Sequence, residues 1–139
     1  MTLNLTSTDL AQLDVVTATL LSPLDYTDIK EWGSVVMRQL QPLLAFDQAF
    51  FGHALEGSVA VQGHGANTEV AAQAYAEHYC HVDPGMTEQR KLLSLEVYHR
   101  NDIYDPLTIR REEIYGDWCV PNKLFDPIGI AFEMGLVYP

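Results

Sequence analysis

Positive charge is scarce in this sequence. Eight Lys and Arg face 19 Asp and Glu across 139 residues, a formal net charge of -11. A surface of that sign repels the phosphate backbone that a nucleic-acid binder must neutralise, so the chain is not expected to grip DNA itself. Cysteine is scarcer still. Cys80 and Cys119 are the only two, too few for a disulfide framework and best read as reduced thiols of a reducing compartment. No apolar run approaches the roughly 20 residues that span a bilayer, and Met1-Thr2-Leu3-Asn4 lacks the basic flank and apolar stretch of a signal peptide. The expectation is a cytoplasmic chain without membrane contact. Catalytic signatures are missing as well. Gly63-His64-Gly65 has neither the lysine of a P-loop nor the spacing of a dinucleotide fingerprint, and no serine sits in a Gly-x-Ser-x-Gly elbow. Neither an enzyme nor a cofactor is expected.

What is present suits one compact domain over residues 1–139, large enough to bury a single core. Ser7-Thr8-Asp9 offers N-cap side chains to a first helix in which Leu10, Leu13, Val16 or Thr17, and Leu20 recur at helical spacing, ending before Pro23. Asp28 followed by Glu31 has the form of a capping box, and Ile29, Trp32, Val35, Val36, Leu40, Leu43 and Leu44 mark the stripe of a second, longer helix. The period then changes. Ala49 to Leu55 and Ser58 to Gln62 are short and apolar or aromatic, separated by Glu56-Gly57, which predicts a β-hairpin, with Gly63-His64-Gly65 closing it.

Asn67 or Thr68 is the expected cap of a third helix running to about Cys80, with Tyr75 and Tyr79 one turn apart. Asp83-Pro84 and Asp105-Pro106 each place an acceptor before a proline suited to the first helical position, so both are expected helix starts. Strands are expected from Leu95 to Tyr98 and from Ile128 to Met134. Two helices, a hairpin, further helices and a last strand make an α+β chain, with helices packed on an antiparallel sheet.

Two stretches carry a family resemblance. Tyr75-Ala76-Glu77-His78-Tyr79-Cys80-His81-Val82-Asp83-Pro84 resembles the tyrosine-containing helix that leads into the Asp-Pro turn of LuxR-type sensor regions. Ile114-Tyr115-Gly116-Asp117-Trp118 through Phe125-Asp126-Pro127-Ile128-Gly129-Ile130 is similar to the segment in which an aromatic-rich helix enters a core strand of these sensors. Residues 74–135 thus resemble the N-terminal, GAF-like or autoinducer-binding-like region of LuxR-type transcriptional regulators. The resemblance implies an antiparallel sheet with helices on its faces and a small-molecule pocket between them. It further implies a homodimer that passes ligand occupancy to a separate helix-turn-helix domain, which residues 1–139 do not contain. Family members continue with further strands, so the sheet is expected to be incomplete at Pro139, leaving an edge that invites pairing with a second copy. Tyr75 and Tyr79 stand where acyl-homoserine-lactone sensors carry tryptophan, and that ligand class is not expected.

Asp83 is the first residue expected to contact a ligand, because a buried carboxylate beside a pocket accepts hydrogen bonds from an amide or amine. A plain helix N-cap is its other reading. Phe51, His53, Tyr75, Tyr79 and Trp118 are the candidate pocket lining, with ordinary core packing as the alternative. His78, Cys80, His81 and Asp83 place four potential metal ligands within six positions, but helical spacing turns Cys80 away from the two histidines, and no metal site is expected. A ligand-free dimerisation module, and a small metal- or thiol-dependent protein using His78, Cys80 and His81, are the rival readings.

Overall fold

The computed structural model describes residues 4–55, 58–87, 98, 99, 102, 104–124, 128 and 129. The chain divides into two compact units, Met1–Ala76 and Glu77–Pro139, and mixes helices with short antiparallel sheets in an α+β fold.

In the first unit, helix α1 spans Ser7–Leu20 and its cap is Thr6, one residue before the expected Ser7-Thr8-Asp9. The reason is local. With Thr6 as cap, Asp9 falls at the third helical position and a reciprocal box closes: the Asp9 amide donates to Thr6 Oγ1 at 3.1 Å, and the Thr6 amide to Asp9 Oδ2 at 2.8 Å. Helix α2, Ile29–Leu44, begins at Asp28, whose Oδ1 accepts the Glu31 amide at 2.7 Å. Glu31 reaches back one residue further than a standard box and accepts from the Thr27 amide at 2.8 Å. The helix ends at Ala45, where a left-handed backbone (φ 49°) lets the amide close on Gln41 O.

The two helices run antiparallel and side by side. Val16 and Thr19 of α1 are buried with Trp32, Val36 and Met37 of α2. Trp32 Nε1 donates to Thr19 O at 2.8 Å, and Gln12 Nε2 to Gln39 O at 2.9 Å, so both ends of the interface are tied by side chains reaching backbone carbonyls.

The hairpin of β1 (Ala49–Leu55) and β2 (Ser58–His64) pairs Ala49 with His64, Phe51 with Gln62 and Leu55 with Ser58. β2 therefore runs two residues past the expected Gln62. Gly63 and His64 do not close the hairpin. They pair with Phe50 and Ala49, and the strands instead join through residues 56 and 57, outside the described set. Gly65, at φ 110°, turns the chain out of the sheet into helix α3 (Thr68–Ala74), where Thr68 Oγ1 donates to Gly65 O at 2.8 Å.

Strand alternation sorts the hairpin into two faces. Phe51 and Gln62 meet α2: the Phe51 ring stands edge-on to Trp32 at 5.6 Å, and Gln62 Nε2 donates to Lys30 O at 2.8 Å. Gly63 lies on the opposite face, where a Cβ would collide with Thr68 Cβ, so α3 starts against that side. Neither Asn67 nor Thr68 caps α3 with its side chain. Asn67 has a left-handed backbone (φ 63°) where a capping residue is extended, and the Thr68 hydroxyl is spent on Gly65.

The expected helix to about Cys80 is present as one uninterrupted helical run, residues 68–82, whose hydrogen bonding widens in the middle. α3 runs to Ala74, a π-helical stretch spans Tyr75–Tyr79, and a turn of helix, α4, covers Cys80–Val82. The second unit continues with α5 (Pro84–Thr87), β3 (Tyr98–His99), a 3-10 turn at Ile109–Arg111, a second π-helical stretch at Ile114–Cys119 and β4 (Ile128–Gly129). β3 and β4 pair antiparallel, Tyr98 with Gly129 and His99 with Ile128. Residues 95–97 and 130–134 of the expected strands lie outside the described set. Asp105 opens a turn rather than a full helix, since its Oδ1 accepts the Leu107 amide at 3.1 Å and its Oδ2 the Thr108 hydroxyl at 2.6 Å, and only the short 3-10 turn follows. Among the described residues no helix is long and apolar enough to cross a membrane.

Candidate functional site

Asp83 sits in the second unit between α4 and α5 and is 7% exposed. Its position follows from the two residues after it. Pro84 starts α5 but has no N–H, so the first donor of that helix is the Gly85 amide, which reaches Asp83 Oδ1 at 2.7 Å. The same Oδ1 accepts the Tyr104 hydroxyl at 2.5 Å from 21 positions along the chain. Asp83 O accepts the Met86 amide at 3.0 Å, and the Asp83 amide donates to Tyr79 O at 2.8 Å. The residue is held by its backbone on both sides and by two donors on one carboxylate oxygen.

Gly85 is required for that geometry. A Cβ at residue 85 would collide with the Tyr104 phenol oxygen and lie 3.1 Å from Asp83 Oδ1. Only a residue without a side chain lets the phenol come this close to the helix start. Tyr104 and Gly85 are thus site residues beyond those expected from the sequence. Pro84-Gly85 is a local turn signal, whereas nothing local joins Tyr104 to Asp83.

One helical turn before Asp83, Tyr79 meets Trp118 of the second π-helical stretch, ring centroids 6.2 Å apart and planes inclined by 38°. The second unit therefore brings three of the expected site residues, Asp83, Tyr79 and Trp118, into one neighbourhood. His78 borders it: its ring packs edge-on to Tyr79 at 4.9 Å, and Nε2 lies 2.6 Å from Glu113 Oε1, with both side chains about half exposed. Such an exposed pair contributes about 0–1 kcal/mol at most.

The other expected residues lie in the first unit. Phe51 and His53 are neighbours on the hairpin face that α2 covers, with ring centroids 6.3 Å apart, and Phe51 is packed on Trp32. Tyr75 is half-buried at the start of the first π-helical stretch. Cys80 and Cys119 are buried thiols, while His81 is exposed. Among the described residues no group of three or more His, Cys, Asp and Glu is placed to share a metal ion. The first unit contains two buried acceptors without a partner among the described residues, Gln39 Oε1 and Gln62 Oε1, although the amide nitrogen of Gln62 bonds Lys30 O.

Comparison with known proteins finds no matching family model, no matching curated protein and no matching solved structure.

Proposed function

We propose that residues 1–139 form a GAF-like ligand-sensing domain of a LuxR-type transcriptional regulator. It binds a small organic molecule and transmits occupancy, through a change of dimer packing, to a separate helix-turn-helix domain. The observation that carries this reading is the buried Asp83 carboxylate, oriented by Tyr104 and Gly85, one helical turn from the Tyr79–Trp118 pair. A rigidly aimed acceptor beside aromatic surface suits a ligand with an amine or amide N–H and a flat apolar part. The resemblance of residues 74–135 supports the same reading, because both of its stretches supply this neighbourhood. The net charge of -11 fits a division of labour in which another domain meets the DNA.

Transmission works by population shift, in which a ligand preferring one arrangement draws the equilibrium toward it. Thermal shift of the whole chain against a library of small metabolites tests the reading. A ligand selective for the folded state raises the melting temperature by mass action and changes Trp118 fluorescence, and Asp83→Asn abolishes both responses. If no compound stabilises the wild-type chain, or if Asp83→Asn responds as the wild type does, ligand sensing at this site is wrong.

A further inference from the structure

Helix α1 is aliphatic on two sides. Val16 and Thr19 are buried against α2, whereas Leu10, Leu13 and Leu20 remain 38% to 52% exposed. With Thr17 between them, these residues recur at positions 10, 13, 17 and 20, the alternating three- and four-residue spacing of a helix-packing seam. At 3.6 residues per turn they fall within an arc about 80° wide. Leu21 (79% exposed) and Leu24 (95% exposed) carry the stripe past the end of the helix. Single exposed leucines are ordinary on a protein surface, but four at helix-packing spacing, Leu10, Leu13, Leu20 and Leu24 with Thr17 between them, mark a contact.

The charge of the chain segment that carries the stripe selects the contact. Residues 1–29 contain Asp9, Asp14, Asp25 and Asp28 and no Lys, Arg or His. A second copy laid on the same stripe would set four acidic side chains against four, and like charges across an interface are penalised. An anionic lipid surface is repelled for the same reason. The complementary surface is aliphatic along its middle and basic along its margins. We propose that the Leu10, Leu13, Leu20 and Leu24 stripe of α1 docks an amphipathic helix of a partner protein, one whose aliphatic ridge is flanked by Lys and Arg. Such a helix places its ridge between the leucines and its cations beside Asp14 and Asp25, while the chain's overall negative charge speeds the encounter. This contact is independent of ligand sensing.

The test uses the full chain and three fluorescein-labelled synthetic peptides of about three heptads each. One has a leucine ridge with lysine flanks, one the same ridge with glutamate flanks, and one is a scrambled isomer of the first. The lysine-flanked helix is expected to bind about tenfold or more tightly than its scrambled isomer at roughly 0.1 M salt. Leu13→Ser combined with Leu20→Ser removes that difference, and Asp14→Lys weakens the lysine-flanked helix severalfold while strengthening the glutamate-flanked one. The leucine pair is partly exposed, so its melting temperature stays near wild type. If it falls, the more exposed Leu10→Ser replaces the pair and must itself weaken binding severalfold. Equal binding of the scrambled isomer, or unchanged binding by the leucine variants, overturns the proposal. So does light scattering that shows a dimer converted to monomer by Leu13→Ser with Leu20→Ser, or co-sedimentation with phosphatidylserine vesicles lost in that variant, since each names a different occupant.

Discussion

The Tyr104 hydroxyl and the Gly85 amide converge on one oxygen of Asp83, so a phenol, a helix start and a carboxylate separated by as much as 21 residues form a single hydrogen-bonded unit. Tyr104→Phe removes the phenol donor from Asp83 Oδ1 and keeps the Gly85 amide. The expected loss is about 1–2 kcal/mol, read as a lower urea midpoint at unchanged slope. Asp83→Ala removes the phenol's partner and the cap of α5 together and is expected to cost more, about 2–4 kcal/mol. A Tyr104→Phe chain as stable as wild type would mean that the phenol adds nothing to this unit.

Gly85→Ala inserts a methyl group where the Tyr104 phenol stands. Forcing the two apart is expected to cost about 1–3 kcal/mol. The double variant Gly85→Ala with Tyr104→Phe removes the nearer clashing atom, so Gly85→Ala should cost less in the Tyr104→Phe background than in wild type. A double-mutant cycle by urea denaturation measures this coupling, and strictly additive losses would contradict the contact.

Trp32 is the largest side chain fully buried in the first unit, packed on Phe51 and hydrogen-bonded to Thr19 O. Trp32→Phe keeps an aromatic ring but loses the indole bond and leaves a cavity. About 2–3 kcal/mol of destabilisation is expected. Trp118→Phe, at a half-buried residue, should cost less, and the two single-tryptophan chains give each unit its own fluorescence signal during unfolding.

Asp9 and Asp105 both respond to pH through local bonds. Backbone and then side-chain hydrogen bonds from Thr6 hold the Asp9 carboxyl below its ordinary value of 3.8. The Thr108 hydroxyl, followed by the Leu107 amide, does the same for Asp105. A carboxyl whose folded pKa is depressed stabilises the fold above its unfolded pKa, and that contribution is lost as pH falls through the folded value. Stability should therefore be level near neutral pH with respect to these groups and decline below about pH 4. Asp9→Asn should flatten part of that acid limb, and NMR titration of the Asp9 side chain should give a midpoint below 3.8. A midpoint at or above that value would mean that the capping box does not hold in solution.

The features legible in the sequence are those whose cause lies within a few residues. Asp28 with Glu31 set the start of α2, and the change of period after Asp47 marked the hairpin, because capping and alternation are local. Face selection in β1 was not legible. Phe50 and Phe51 are adjacent and chemically alike, and only the α2 packing on Phe51 shows which of them turns toward Trp32. The alanine-rich run before Cys80 reads as one helix, as it is, but a π-helical stretch has no distinctive composition, so the widening from Tyr75 to Tyr79 carried no signal. Asp83 was expected both as a cap and as a ligand contact. The cap is present, and Tyr104 joined it through a tertiary approach that no spacing rule encodes.

The bond from the Trp32 indole to Thr19 O also has a kinetic consequence. Thr19 lies in the last turn of α1, the part of a helix that ordinarily frays first. Because its carbonyl is held by the most deeply buried side chain of α2, that turn cannot open without drawing the indole out of the core. In native-state hydrogen exchange, the amides of the last turn of α1 should therefore exchange together with those around Trp32, as one cooperative opening, rather than ahead of them like a loose end.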